Sequence, residues 1–150
     1  VAISNGAIKE ETPLSNGKKR VTFEQTPKMS TYLVFLGVGE FEFTQDTEDP
    51  RVRVATLPGM KPYATFGLEF GRKALAFSED YYGIPYPLPK MDLIAIPDFA
   101  FGAMENWGAI TFRENLLLHY PDATSRLGEW VGSGLAATCL LLIWTLRRRR

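Results

Sequence analysis

The chain is poor in the two side chains that most often build reactive centres. Its 150 residues include one cysteine, Cys139, and one histidine, His119. A lone cysteine excludes an intrachain disulfide framework and a multi-cysteine zinc ribbon. A lone histidine excludes a self-contained two-histidine metal site. Net charge is missing as well: seventeen basic and seventeen acidic residues cancel, which argues against a nucleic-acid binder working from a basic face. The opening, Val1-Ala-Ile-Ser-Asn-Gly, has no methionine and no charged start before an apolar run. It does not read as a signal peptide, and it is the opening expected of a piece of a longer protein.

What the chain does have is core-forming material. Hydrophobic residues make up 45% and aromatics 13%, which suits one folded domain and not a disordered segment. Charge is unevenly spread. Four of the seventeen basic residues are Arg147 to Arg150, leaving thirteen basic against seventeen acidic, a body with net charge −4. Just before them, Trp130 to Leu146 holds no charged residue.

Residues 1–49 read as β-structure. Asn16-Gly17 is a turn signal, and Arg20 to Glu24 alternates polar and apolar. Tyr32 to Val38 is an apolar run of strand length. Glu40 to Thr44 alternates again, with Phe41 and Phe43 on one face. The acidic stretch Gln45 to Pro50 reads as a solvated connection and a domain boundary. Arg51 to Ala55 is a short strand, and Pro58-Gly59 a turn. The spacing of Phe66, Phe70, Phe77 and Tyr81, with Ala74 in the stripe, predicts a helix over Ala64 to Tyr81 with that aromatic stripe facing the core. Glu79 and Asp80 oppose the dipole at its far end, and Gly83 stops it. Three prolines among residues 83–89 make that stretch a fixed extended loop. Asp92 to Pro97 and Ala109 to Arg113 are strands expected to share one small sheet, leaving residues 102–106 at an exposed edge.

The informative segment is Phe101-Gly-Ala-Met-Glu-Asn-Trp-Gly. Gly102 and Ala103 offer almost no side chain, so another backbone can approach closely. An extended peptide can then pair as an added strand. Glu105, two residues on, supplies a carboxylate suited to that peptide's free α-amine through a charge-assisted hydrogen bond. Taken alone, Glu105 is better read as a solvated glutamate on a tight turn.

The flanks change the balance. Gly102-Ala103-Met104-Glu105-Asn106 resembles the signature of the zinc aminopeptidases of the membrane alanyl aminopeptidase family, which includes puromycin-sensitive and leucyl-type enzymes. Thr26 to Leu33 and Val38 to Glu42 are similar to the closing strands of that family's N-terminal β-domain. Tyr82 to Phe99 is similar to its approach to the motif, and Phe112 to Leu118 is similar to the stretch just after the motif. The likeness runs from residue 1 to about 128. It implies an α+β chain: residues 1–49 as the end of an N-terminal β-domain, 50–127 as the mixed strand and helix start of a thermolysin-like catalytic domain, and 128–150 as a divergent tail with an apolar C-terminal helix. Carried over, Gly102 and Ala103 bind the extended N-terminal residues of a peptide and Glu105 holds its α-amine. Met104 lines the pocket for the first side chain, and Asn106 braces the loop.

The resemblance also implies zinc, held by a His-Glu-x-x-His helix and a later glutamate, with the glutamate between the histidines activating the metal-bound water. This sequence contains no such motif: His119 is followed by Tyr120 and Pro121 and reads as a solvated loop residue. Glu114 and Glu129 read as surface charges. Ser78, Ser125 and Ser133 have no histidine in a suggestive context, and Cys139 reads as an inert packed thiol. No catalytic residue and no metal ligand is therefore assigned. The tail has three readings. It is a reading-frame or gene-model substitution for the zinc helix, or an internal helix of another fold, or a membrane tether through residues 130–150. Its seventeen uncharged residues span about 25 Å as a helix against about 30 Å of hydrocarbon.

The expected function is thus that of a fragment of a zinc metalloaminopeptidase, truncated before the zinc motif, keeping the part that binds peptide N-termini and inactive by itself. The alternative is a non-catalytic, membrane-tethered peptide-binding module. Nucleic acid is not an expected partner, and the sequence leaves the compartment open between cytoplasmic and membrane-associated.

Overall fold

The computed structural model describes residues 1–121 and Gly134. Three sheets and one long helix make up the described part. Strands β1 (Ala2–Ser4) and β4 (Leu36–Val38) pair antiparallel, as do β2 (Ile8–Pro13) and β3 (Lys19–Phe23). The main sheet has five strands: β5 (Glu42–Gln45), β6 (Val52–Thr56), β7 (Met91–Ile96), β8 (Ala103–Met104) and β9 (Ala109–Arg113). Their order is β5-β6-β7-β9-β8. The three inner strands run parallel, and the two edge strands are antiparallel to their neighbours. Helix α1 (Thr65–Tyr82) crosses from β6 to β7, and a four-residue turn of helix, α2 (Glu114–Leu117), comes after β9.

The fold class is therefore a mixed α+β arrangement, mostly strand with one main helix. The expected apolar C-terminal helix and the divergent tail, apart from Gly134, fall outside the described residues, as does Cys139. Among the described residues no helix is long and apolar enough to cross a membrane.

The parallel strands explain why alternation underestimates burial. Arg51 to Ala55 reads as half-buried, yet Val52, Val54, Ala55 and Thr56 are all buried, and so are Met91 to Ala95. A parallel strand needs a crossover to return, and that crossover covers a face that would otherwise be wet. The two charged residues on these strands, Arg53 and Asp92, are next to each other in register.

Helix α1 stops at Gly83, whose φ of 61° is left-handed, as the sequence indicates. Its buried face differs from the predicted one. Phe77 and Tyr81 are exposed, while Gly67, Leu68, Gly71, Ala74, Leu75 and Ser78 turn inward. Close packing sets this choice. A Cβ at Gly67 would lie 2.7 Å from the Leu117 carbonyl oxygen, and one at Gly71 would lie 2.5 Å from Leu93 Cδ1. At Gly67 the helix lies against α2 and at Gly71 against β7 so closely that no side chain fits, and Leu68 and Leu75 fill the face between them while Phe77 and Tyr81 stay outside. Phe70 still packs against the core edge. Phe66 meets the His119 ring, with centroids 5.9 Å apart.

Two further expectations are corrected, and the connection at 45–50 takes a defined form. Tyr32 to Val38 is not one strand: Thr31–Leu33 forms a 3-10 turn before β4 begins at Leu36. The Leu33 carbonyl accepts from two side chains and not from a strand ladder. The acidic stretch at 45–50 is the turn of the β5–β6 hairpin. Asp46 Oδ1 accepts from the Glu48 and Asp49 amides at 2.9 Å each. Finally, His119 is half-buried against Phe66, and its amide donates to the Tyr63 carbonyl at 3.0 Å.

Glu79 does not oppose the helix dipole unaided. Arg51 donates to both of its oxygens, at 2.8 and 3.0 Å, and to Asp49, and the Tyr86 amide donates to Glu79 at 2.7 Å. The hydrogen bonds from Arg51 hold both carboxyl groups below the usual carboxylate range.

Candidate functional site

Strand β8 is only two residues long and closes one edge of the main sheet. Ala103 pairs with Phe112 and Met104 with Thr111. The loop before it is tied to β9 at both backbone and side chain. The Arg113 amide donates to the Gly102 carbonyl at 2.9 Å, and its guanidinium donates to the Phe99 and Ala100 carbonyls at 3.0 and 2.9 Å. On its other side β8 has no strand neighbour among the described residues. Gly102, Ala103, Met104 and Glu105 are half-buried there. No described residue forms a hydrogen bond or ion pair with the Glu105 carboxylate.

The five segment residues differ in burial at the last position. Asn106 is 5% exposed. Its Nδ2 donates to the Leu33 carbonyl at 3.1 Å, its Oδ1 accepts from the Thr111 hydroxyl at 3.3 Å, and its carbonyl accepts from the Ala109 amide at 3.0 Å. The chain thus turns tightly between β8 and β9. Gly108 takes a φ of 72° in that turn, and a Cβ there would collide with the Asn5 carbonyl oxygen. Only glycine satisfies both demands.

Behind the turn lies a charged cluster that sequence reasoning missed. Asp92 is fully buried. It accepts from Arg53 Nε and Nη2 at 2.7 and 2.9 Å, and its other ion pair, to Lys90 Nζ, is 2.8 Å. Lys90 also donates to the Ser4 carbonyl at 2.6 Å and the Gly108 carbonyl at 2.7 Å. Burial lowers the Lys90 ammonium from its ordinary value, and Asp92 opposes that shift. The Arg53 guanidinium lies 4.6 Å from the Phe43 ring centroid. A cavity of about 340 Å³, bordered by Ser4, Phe43, Arg53, Lys90 and Asp92, opens on this side. The signal available in the sequence was the placing of Lys90 and Asp92 around the start of an otherwise apolar strand.

The residues present do not fit the zinc site that the resemblance implies. The sequence holds one histidine, and its ring lies against Phe66. Among the described residues no three His, Cys, Asp or Glu side chains gather as metal ligands. Ser78 donates to the Ala74 carbonyl at 2.8 Å within its helix, a structural use of the hydroxyl. Glu114 is half-buried at the start of α2. Glu129, Ser125 and Ser133 fall outside the described residues.

Two family models match the chain. Residues 1–33 match the Peptidase M1 N-terminal domain, and residues 66–129, which include the 102–106 segment, match the Peptidase family M1 domain. The chain is 54% identical over 117 residues to the probable aminopeptidase 2 of Sulfurisphaera tokodaii, covering 77% of this chain and 15% of that protein. It is 52% identical over 117 residues to the leucyl aminopeptidase of Saccharolobus solfataricus, again 77% against 15%. With the puromycin-sensitive aminopeptidase of Caenorhabditis elegans it shares 47% over 127 residues, 83% of this chain and 13% of that one. The chain thus spans about one seventh of the length of the curated relatives it matches.

Proposed function

The chain belongs to peptidase family M1, and from that premise we propose that residues 102–106 receive the free N-terminus of a peptide, as part of an aminopeptidase. The observation that carries this reading is the half-buried, unpartnered Glu105 carboxylate immediately after a two-residue edge strand. A peptide adding along the open edge of β8 exchanges main-chain hydrogen bonds with Ala103, while Gly102, whose carbonyl accepts from the Arg113 amide, leaves room for its backbone to approach. Its ammonium group then lies within reach of Glu105, where the bond is charge-assisted. Met104 lines the space for the first side chain, and Asn106 fixes the turn that carries Glu105.

On this reading residues 1–49 are the end of an N-terminal β-domain and residues 50–127 the start of the catalytic domain. The hairpin at 42–56 joins β5 to β6 in one sheet. Hydrolysis by a zinc-activated water is outside the repertoire of these residues. The zinc chemistry that the resemblance implies requires ligands that this sequence does not contain. What the chain itself supplies is recognition: an edge for the peptide backbone and a carboxylate for its amine.

Calorimetric titration of the full chain with a pentapeptide and with its N-acetylated form tests the reading. The free-amine peptide binds and acetylation weakens binding about tenfold or more, the scale of one charge-assisted hydrogen bond. Equal affinity for the two peptides, or binding of neither, removes the role of Glu105.

A further inference from the structure

Asn5 lies 102 positions away in sequence from the carbonyl it holds in the segment after Glu105. Its carboxamide is fully used. Nδ2 donates to the Trp107 carbonyl at 2.8 Å and to the Leu33 carbonyl at 2.9 Å, while Oδ1 accepts from the Phe35 amide at 2.9 Å. The residue is 2% exposed, so no water stands ready to replace a lost bond. The Leu33 carbonyl also accepts from Asn106 Nδ2 at 3.1 Å. Two asparagines, one from the N-terminal segment and one from the 102–106 segment, therefore meet on a single acceptor. A second strut runs parallel to the first: Lys90 Nζ joins the Ser4 and Gly108 carbonyls at 2.6 and 2.7 Å. The dipeptide Ser4-Asn5 is thus fastened to the dipeptide Trp107-Gly108 by two buried side chains.

This fastening has a consequence for the edge strand. Strand β8 has two residues and one strand neighbour, too little pairing to hold a fixed position by itself. Its entry is held by Arg113 and its exit by the turn at 106–109. Glu105 sits on that exit. Whatever fixes Trp107 fixes the carboxylate two residues before it.

We propose that Asn5 is a positioning residue for the peptide-binding edge. Its carboxamide clamps the Trp107 carbonyl to the N-terminal β segment and so sets where Glu105 meets the substrate amine. The site is then a joint product of the N-terminal segment and the main sheet. This rests on the reading of residues 102–106 given above, and the experiment separates the two ideas. The first measurement is amide and side-chain hydrogen exchange by NMR on the full chain. In the wild type the Asn5 carboxamide protons are protected about a hundredfold relative to free asparagine. The second is the variant Asn5→Asp, which keeps the acceptor for the Phe35 amide and loses both donors. Exchange of the amides at 104–108 rises at least about tenfold more than exchange at Leu93 and Ile94 in β7. Affinity for the free-amine peptide falls about fivefold or more, and affinity for the acetylated peptide stays level. Asn5→Ser, which buries no new charge, gives the same contrast should Asn5→Asp fail to fold. Freely exchanging carboxamide protons in the wild type overturn the proposal. So does an equal rise in exchange at 104–108 and in β7, which would make Asn5 a general stabiliser only. If the wild type binds neither peptide, the functional reading fails while the exchange contrast still decides the clamp.

Discussion

Replacing Asp92 with asparagine removes the anion at the centre of the buried cluster and keeps its shape. Asp92 is fully buried and faces two cations, Arg53 at 2.7 Å and Lys90 at 2.8 Å. Asparagine retains one acceptor for Arg53 but presents either an uncharged oxygen or an amide N–H to the ammonium. Breaking a buried ion pair from one side costs about 3–5 kcal/mol, because the surviving charge stays desolvated. The Arg53 side chain is 31% exposed and can recover water, whereas Lys90 is 6% exposed and cannot. The loss therefore falls mainly on Lys90, and the low end, about 3 kcal/mol, is expected. Against a total of about 5–15 kcal/mol for a domain, that is a large fraction. Lys90→Met tests the assignment. It removes the stranded charge and costs about 2 kcal/mol through the lost bonds to the Ser4 and Gly108 carbonyls, of which Gly108 keeps the Asp92 amide. In the double variant Asp92→Asn no longer strands an ammonium, so the two losses fall short of additivity by at least about 1.5 kcal/mol. Urea unfolding of the wild type, both single variants and the double variant measures this. Losses that add to within about 0.5 kcal/mol would mean that Asp92 and Lys90 act independently, and the account of the cluster would fail.

Three further outcomes are expected. Gly67→Ala lowers stability by about 1–3 kcal/mol despite the better helix propensity of alanine, because the new methyl meets the Leu117 carbonyl oxygen, while Phe77→Ala on the exposed side stays within about 0.5 kcal/mol; thermal melts of the two variants decide which face is packed. Glu79 and Asp49 have folded-state pKa values depressed first by hydrogen bonds from Arg51, so their stabilisation is present above the ordinary carboxylate range and is lost as pH falls through the depressed values. The acid limb of a stability-against-pH curve should accordingly be shallower in Glu79→Gln, and an unchanged limb would contradict the assignment. The chain with added zinc releases no chromophore from aminoacyl chromogenic substrates above buffer, since its sequence lacks a two-histidine zinc site; turnover abolished by a chelator would refute this.

Local signals carried much of the architecture. The helix and its glycine stop are visible in residues 65–83, because periodicity and a left-handed cap are properties of the neighbouring chain. The pairing of β9 with β7 and the edge position of Ala103 and Met104 follow from alternation and from the short spacing between the strands, whereas Asn106, expected at an exposed edge, is buried. The buried face of α1 was misread because aromatic periodicity suggests a core stripe, whereas here backbone proximity demands Gly67 and Gly71. The pairing of Arg53 with Asp92 needs a parallel register across 39 residues, and the Asn5 clamp needs a contact across 102. Neither leaves a pattern in any sequence window. Glu105 was legible because a recognisable motif surrounds it. Its half-buried, unpartnered state was visible only in the structure.

The role of Glu105 carries the account, and its removal is the most direct test. The free-amine and N-acetylated peptides are titrated into the wild type and into Glu105→Gln, with amide shifts at Gly102 and Ala103 monitored in the same samples. The substitution keeps the shape and removes the charge. The account predicts that Glu105→Gln binds the free-amine peptide about tenfold more weakly or worse and leaves the acetylated peptide unaffected, with the Gly102 and Ala103 shifts preserved at saturation. An unchanged preference for the free amine in Glu105→Gln would place amine recognition elsewhere and contradict the account.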